Sequence, residues 1–286
     1  MPPKSLPDEI VGTSRLRIVI EGNQYRGLVV RDGVRSEELQ DLDLENLRHR
    51  LREEACRLHP DYFGFAGAIA RFSSFNPLGF DDPEYLERER GYKVAASQLL
   101  QQLLPLEGAR DVTVEQAAGL RKVVGATNLL AHQHEQQHMR DILVGANGPK
   151  LVIASALIAT GEIEQGFRLM RALETTAGRI SWPIATYLPF LWSPECNMFL
   201  KPAVTRDFAT RVGHRFADDY IPDLEPEVYR SLLDLASATE KEVAKLAPND
   251  RIDIQGFIWV VGKYEANDSP AGSAGAVHEP EAGTET

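Results

Sequence analysis

The sequence predicts a mainly α fold of the α+β kind: one helical domain that begins with a small β-hairpin and ends in a disordered tail. Three observations carry this. Apolar residues recur at helical spacing through most of 44–262, strict two-residue alternation is confined to the stretch before residue 31, and from Glu265 onward Gly, Ala, Ser, Pro and Glu replace any apolar stripe. The expected organisation is a flexible leader over 1–13, a single domain over 14–264 and an acidic tail over 265–286.

Each element has its own warrant. Leu16, Ile18 and Ile20 alternate with Arg15, Arg17 and Val19, Glu21-Gly22-Asn23-Gln24 makes a turn, and 25–30 is a second run, which together read as a hairpin. Leu44, Leu47, Leu51 and Ala55 form one stripe of a helix over 44–58. A short helix over 66–75 is broken by Asn76-Pro77-Leu78-Gly79. Asp81 and Asp82 before Pro83 then start a helix that runs to about 104, because a capping carboxylate followed by a proline suits a first turn. Thr113-Val114-Glu115-Gln116 is a capping box, and the helix it opens should continue to about 144, bent at Gly125. A helical hairpin over 150–175 is joined at Gly161. Trp182-Pro183 and Leu188-Pro189 argue against one regular helix over the aromatic stretch 182–192. Met198-Phe199-Leu200 reads as a short strand, 225–246 as a long amphipathic helix, and 252–261 leans towards helix over strand.

Hydrophobic residues make up 43% of the 286 residues and charged residues 26%, the balance of a water-soluble globular chain. No apolar run approaches the roughly 20 residues that span a bilayer, the start lacks a signal-peptide core, and only Cys56 and Cys196 are present, so the cytoplasm is the expected location. A net charge of −11 argues against nucleic acid as a partner, and another protein is the expected one. Arg15, Arg17, Arg26, Arg31 and Arg35 cluster early and read as a solvated hairpin face.

One run suggests chemistry by spacing. His134-Glu135-Gln136-Gln137-His138 has the form H-E-x-x-H, which on a helix puts two imidazoles one turn apart on one side with the carboxylate offset from them. His134, His138 and Asp141 would then be zinc ligands and Glu135 the general base on bound water, with Glu162 or Glu164 available as a further ligand. Gln133, Gln136, Gln137 and Arg140 read instead as a solvated helix face. Cys196 lacks a neighbour that would lower its pKa. Trp182, Tyr187, Phe190 and Trp192 read as core. Asp250, Asp253, Gln255 and Lys263 resemble a nuclease set superficially and are better explained by capping and solvation.

The same five residues resemble a segment of the DinB-like domain of sulfoxide synthases, where such a pair joins another His on iron; that resemblance covers about ten residues. A broader one rests on Gly79-Phe80-Asp81-Asp82-Pro83-Glu84-Tyr85-Leu86, Glu89-Arg90-Gly91-Tyr92-Lys93, Met198-Phe199-Leu200-Lys201-Pro202 and Ile252-Asp253-Ile254-Gln255-Gly256-Phe257-Ile258-Trp259-Val260. These resemble a group of bacterial proteins from about residue 65 to 262, and the resemblance implies a continuous domain without adding an activity. The leading expectation is an accessory or interaction protein without its own catalytic centre. The competing expectation is a zinc-dependent hydrolase.

Overall fold

The computed structural model describes residues 4–11, 14–31, 33–57, 64–173, 175 and 178–264. The expected acidic tail lies outside them. The chain is mainly α, with a small antiparallel sheet at its N-terminal end.

The sheet is larger than a hairpin. β3 (Ser14–Glu21) and β4 (Gln24–Arg31) pair in the register Arg17↔Leu28, so Leu16, Ile18 and Val29 share one face. Within 4–11, expected as part of a flexible leader, β1 (Lys4–Ser5) and β2 (Glu9–Val11) pair with the free edge of β3. The reason is apolar: Leu6 and Val11 pack on the sheet core, and Asp8 lies 3.6 and 3.5 Å from the guanidinium groups of Arg15 and Arg17. β5 (Val34–Arg35) and β6 (Leu39–Asp41) pair with β4. The helix α1 (Leu44–Arg57) lays Leu47, Leu51 and Ala55 on the inner face. Gly27 permits this approach, since a Cβ there would stand 2.6 Å from Leu51 Cδ1.

The helical body follows. After α2 (Gly64–Phe75), Asp82 caps α3 (Pro83–Tyr85) by accepting from the Glu84 amide at 3.0 Å. A π-turn at Leu86–Arg90 passes directly into α4 (Gly91–Leu103). The capping box at Thr113 forms as expected and opens α5 (Val114–Gly119). The single helix expected from there to 144 is instead broken into α5, α6 (Arg121–Gly125), an irregular stretch over 126–131, a π-turn at His132–Gln136 and α7 (Gln137–Val144). Side chains from elsewhere hold the break open: Tyr187 donates to the Val123 carbonyl at 2.8 Å, and Lys201 Nζ donates to that of Leu129 at 3.2 Å.

α8 (Gly148–Ala159) and α9 (Ile163–Arg171) form the expected hairpin. Contrary to the reading of its prolines, Trp182–Trp192 is one helix, α10. Pro183 sits in the first turn, where no amide is needed, and only Pro189 removes an internal bond. Every residue of α10 is buried, so packing against α4 and α8 outweighs that loss. Met198, Phe199 and Leu200 form no strand. Their segment is buried and finds side-chain partners instead, Leu200 N donating to Thr186 Oγ1 at 3.0 Å and Met198 N to Tyr229 Oη at 3.4 Å. α11 (Pro202–Val212), α12 (Phe216–Asp219) and α13 (Pro226–Glu242) lead to α14 (Arg251–Lys263), which is helical as expected and almost wholly buried against α2, α11 and α13.

Candidate functional site

The H-E-x-x-H run lies at the π-turn and the start of α7, not inside a regular helix. Its i→i+5 bond from Gln136 N to Ala131 O removes the 3.6-residue register that a shared metal assumes. His134 is exposed. His138 is half-buried, with Nε2 2.8 Å from Thr175 Oγ1, and burial lowers its pKa against an opposing pull from Asp141. His138 and Asp141 line one cavity of about 150 Å³ that His134 does not reach. The Glu135 carboxylate accepts from Ala131 N at 2.7 Å and from Lys201 Nζ at 3.0 Å. Glu162 is paired with Arg110, and Glu164 with Arg230. Among the described residues no three His, Cys, Asp or Glu side chains converge as metal ligands. Gln136, expected on a solvated face, is buried, its Nε2 donating to the carbonyls of Thr127 and Leu130 at 3.2 and 3.3 Å.

A cluster of buried charged and polar residues lies elsewhere, between the α3–α4 segment and α14. Asp253 is fully buried and saturated: Oδ1 accepts from Tyr85 Oη at 2.9 Å and lies 2.8 Å from Arg90, while Oδ2 accepts from Asn249 N at 2.8 Å and Asn249 Nδ2 at 2.9 Å. Asp250 caps α14 and takes both terminal nitrogens of Arg90 at 2.8 Å. Burial drives the Tyr85 phenol well above its ordinary pKa, with the Asp253 charge adding to it. Gly256 leaves room for this contact, because a Cβ there would sit 2.5 Å from Tyr85 Oη. One turn further on, Lys93 is buried with Nζ 3.2 Å from Glu89 Oε2, and Tyr264 Oη donates to Glu89 Oε1 at 2.9 Å. Burial lowers the Lys93 pKa, and Glu89 opposes that.

This cluster backs onto a pocket of about 80 Å³ lined by Glu89, Tyr92, Asn128, Leu129, Phe199, Lys201, Gln255 and Trp259. Gln255 is 6% exposed, and its Oε1 has no hydrogen-bond partner. A buried unpaired amide oxygen costs about 1–3 kcal/mol, so its retention calls for a reason. A larger hollow of about 330 Å³ between α9 and residues 222–225 has no such atom in its lining, and its rim charges are paired as Arg171–Glu225 and Arg179–Asp223.

Little of the pocket was legible beforehand. Glu89 and Lys93 stand four apart, the spacing of an ordinary solvated helix pair. Asp253 and Gln255 were noted, but solvation was the wrong explanation for both, since each is buried in α14. Comparison with protein-family models, curated proteins and solved structures returned no match, so the functional reading rests on this geometry.

Proposed function

We propose that this chain is an accessory protein that works by recognition, with another protein as its partner in the bacterial cytoplasm. The observation that carries the reading is the commitment of Glu135. The one carboxylate that sequence spacing offered as a general base joins α11's approach segment to the π-turn through Lys201, and both its partners are internal. A base of a metal-bound water must instead face that water. Exposed Ile10, Val34 and Leu42 on the sheet module are apolar groups within a partner's reach. Among the described residues no single helix is long and apolar enough to cross a membrane.

Metal analysis of the untagged chain, purified without added metal, separates this reading from zinc-dependent hydrolysis. Recognition expects zinc well below one per chain in the parent. It also expects Glu135→Gln to lower stability by about 1 kcal/mol through the weakened Lys201 pair, and His134→Ala to behave as the parent. Stoichiometric zinc in the parent, lost in both His134→Ala and His138→Ala, would overturn it.

A further inference from the structure

We infer that the pocket between α4 and α14 binds the edge of a small, neutral, planar heterocycle that carries a hydrogen-bond donor beside an acceptor, the pattern of a nucleobase such as adenine. Charge argues first. Glu89 and Lys201 are the two ionic side chains in the lining, and each is already answered from within, Glu89 by Lys93 and Tyr264, Lys201 by Glu135 and the Leu129 carbonyl. An ionic ligand would have to displace one of these pairs. The group left over is the carboxamide of Gln255, whose Oε1 is buried and unpaired. A carboxamide presents an acceptor and a donor side by side, and its complement is a planar edge bearing the reverse pair.

Shape argues next. Tyr92, Phe199 and Trp259 supply ring walls beside Gln255, the surfaces against which a flat heterocycle stacks. Tyr92 and Asn128, both in the lining, interact through the phenol and the carboxamide. About 80 Å³ is roughly half of the 150 Å³ that suffices to enclose benzene in an apolar cavity, so one ring edge enters and the remainder of the ligand projects through the mouth. The pocket then has in its wall a buried carboxamide with an unpaired oxygen, at a standing loss in stability that a ligand recovers once the amide turns to meet it.

Tryptophan fluorescence of the full chain gives the test. Of the three tryptophans, Trp182 and Trp192 are 2% and 3% exposed, whereas Trp259 lies at the pocket. Adenine should quench saturably and Trp259→Phe should abolish the signal. In 9-methyladenine the only donor is the N6 amino group, and its N6,N6-dimethyl derivative, which lacks that donor, should bind at least about tenfold more weakly, the loss expected for one buried hydrogen bond. Cytosine and benzamide are the other arms: stronger quenching by either base assigns the nucleobase class, whereas stronger quenching by benzamide, which has no heterocycle, overturns it in favour of a simple carboxamide. Gln255→Met should weaken adenine binding by at least about tenfold and melt at or above the parent's temperature. Absence of saturable quenching by any base, unchanged binding in Gln255→Met, or a Gln255→Met chain that melts several degrees below the parent would each overturn the assignment.

Discussion

His214 shows how a single side chain can set the acid limit of a fold. Its Nδ1 accepts from the Phe216 amide at 3.1 Å, and Nε2 lies 3.3 Å from Asp234 with only 9% of the side chain exposed. A ring that accepts at Nδ1 is neutral, and adding a proton there breaks the bond to the start of α12. Burial is the largest influence and lowers the pKa to about 4, with Asp234 pulling the other way and Arg215 adding to the fall. The folded state therefore binds this proton less well than the unfolded chain, whose His titrates near 6.5. Above that value both states are neutral and His214 leaves stability unchanged. As pH falls from about 6.5 to 4 the unfolded state gains the proton first, so stability drops across that window and levels off below it. Chemical denaturation at a series of pH values should show the drop, and His214→Gln should flatten it. An unchanged slope in that variant would assign the acid sensitivity to other groups. None of this was legible in the sequence, where His214 simply follows Gly213.

At the scale of elements, legibility divides by what decides each one. The caps at Thr113 and Asp82 and the two-residue alternation of β3 act within a few residues, and each formed as its sequence requires. Helix α14 was legible through its stripe of Ile254, Phe257, Ile258 and Val261, although its β-branched content competed. Two of the failures have a common cause. Pro183 and Pro189 argued against one helix over 182–192, and Gly125 was expected only to bend a helix running to about 144, yet long-range burial and hydrogen bonding decided both. The π-turn before α7 illustrates this, because the Gln136 amide bridges two carbonyls of the preceding irregular stretch. Gln136→Ala should leave the Thr127 and Leu130 carbonyls without that donor and cost about 1–3 kcal/mol, measured as a shift in denaturant midpoint at constant slope. A loss within about 0.5 kcal/mol, typical of a surface substitution, would show that water replaces the amide and that Gln136 does not hold the turn.

The described residues form two separate hydrophobic clusters of very different size. The smaller comprises Leu16, Ile18, Val29, Leu47, Leu51 and Ala55, with Leu6, Val11, Tyr25, Leu39 and Leu44 around them. The larger runs from Phe65 to Tyr264 through all the later helices. A reading of one continuous domain treats these as one unit, but apolar contact sets cooperativity, and α1 meets the body chiefly along α2 and α11. Across that seam Arg52 acts on His214 and Asp218 through its charge. The sheet module therefore opens at a lower free energy than the body. Native-state hydrogen exchange should find the amides of β3 and β4 exchanging through a sub-global opening while those of α8, α10 and α14 wait for global unfolding. If β3 and α10 shared one opening free energy and one denaturant dependence, the two clusters would be a single cooperative core, and the seam along α11 would be stronger than its contacts imply. With the expected order, the module that exposes Ile10, Val34 and Leu42 can yield to a partner while the pocket behind Gln255 keeps its shape.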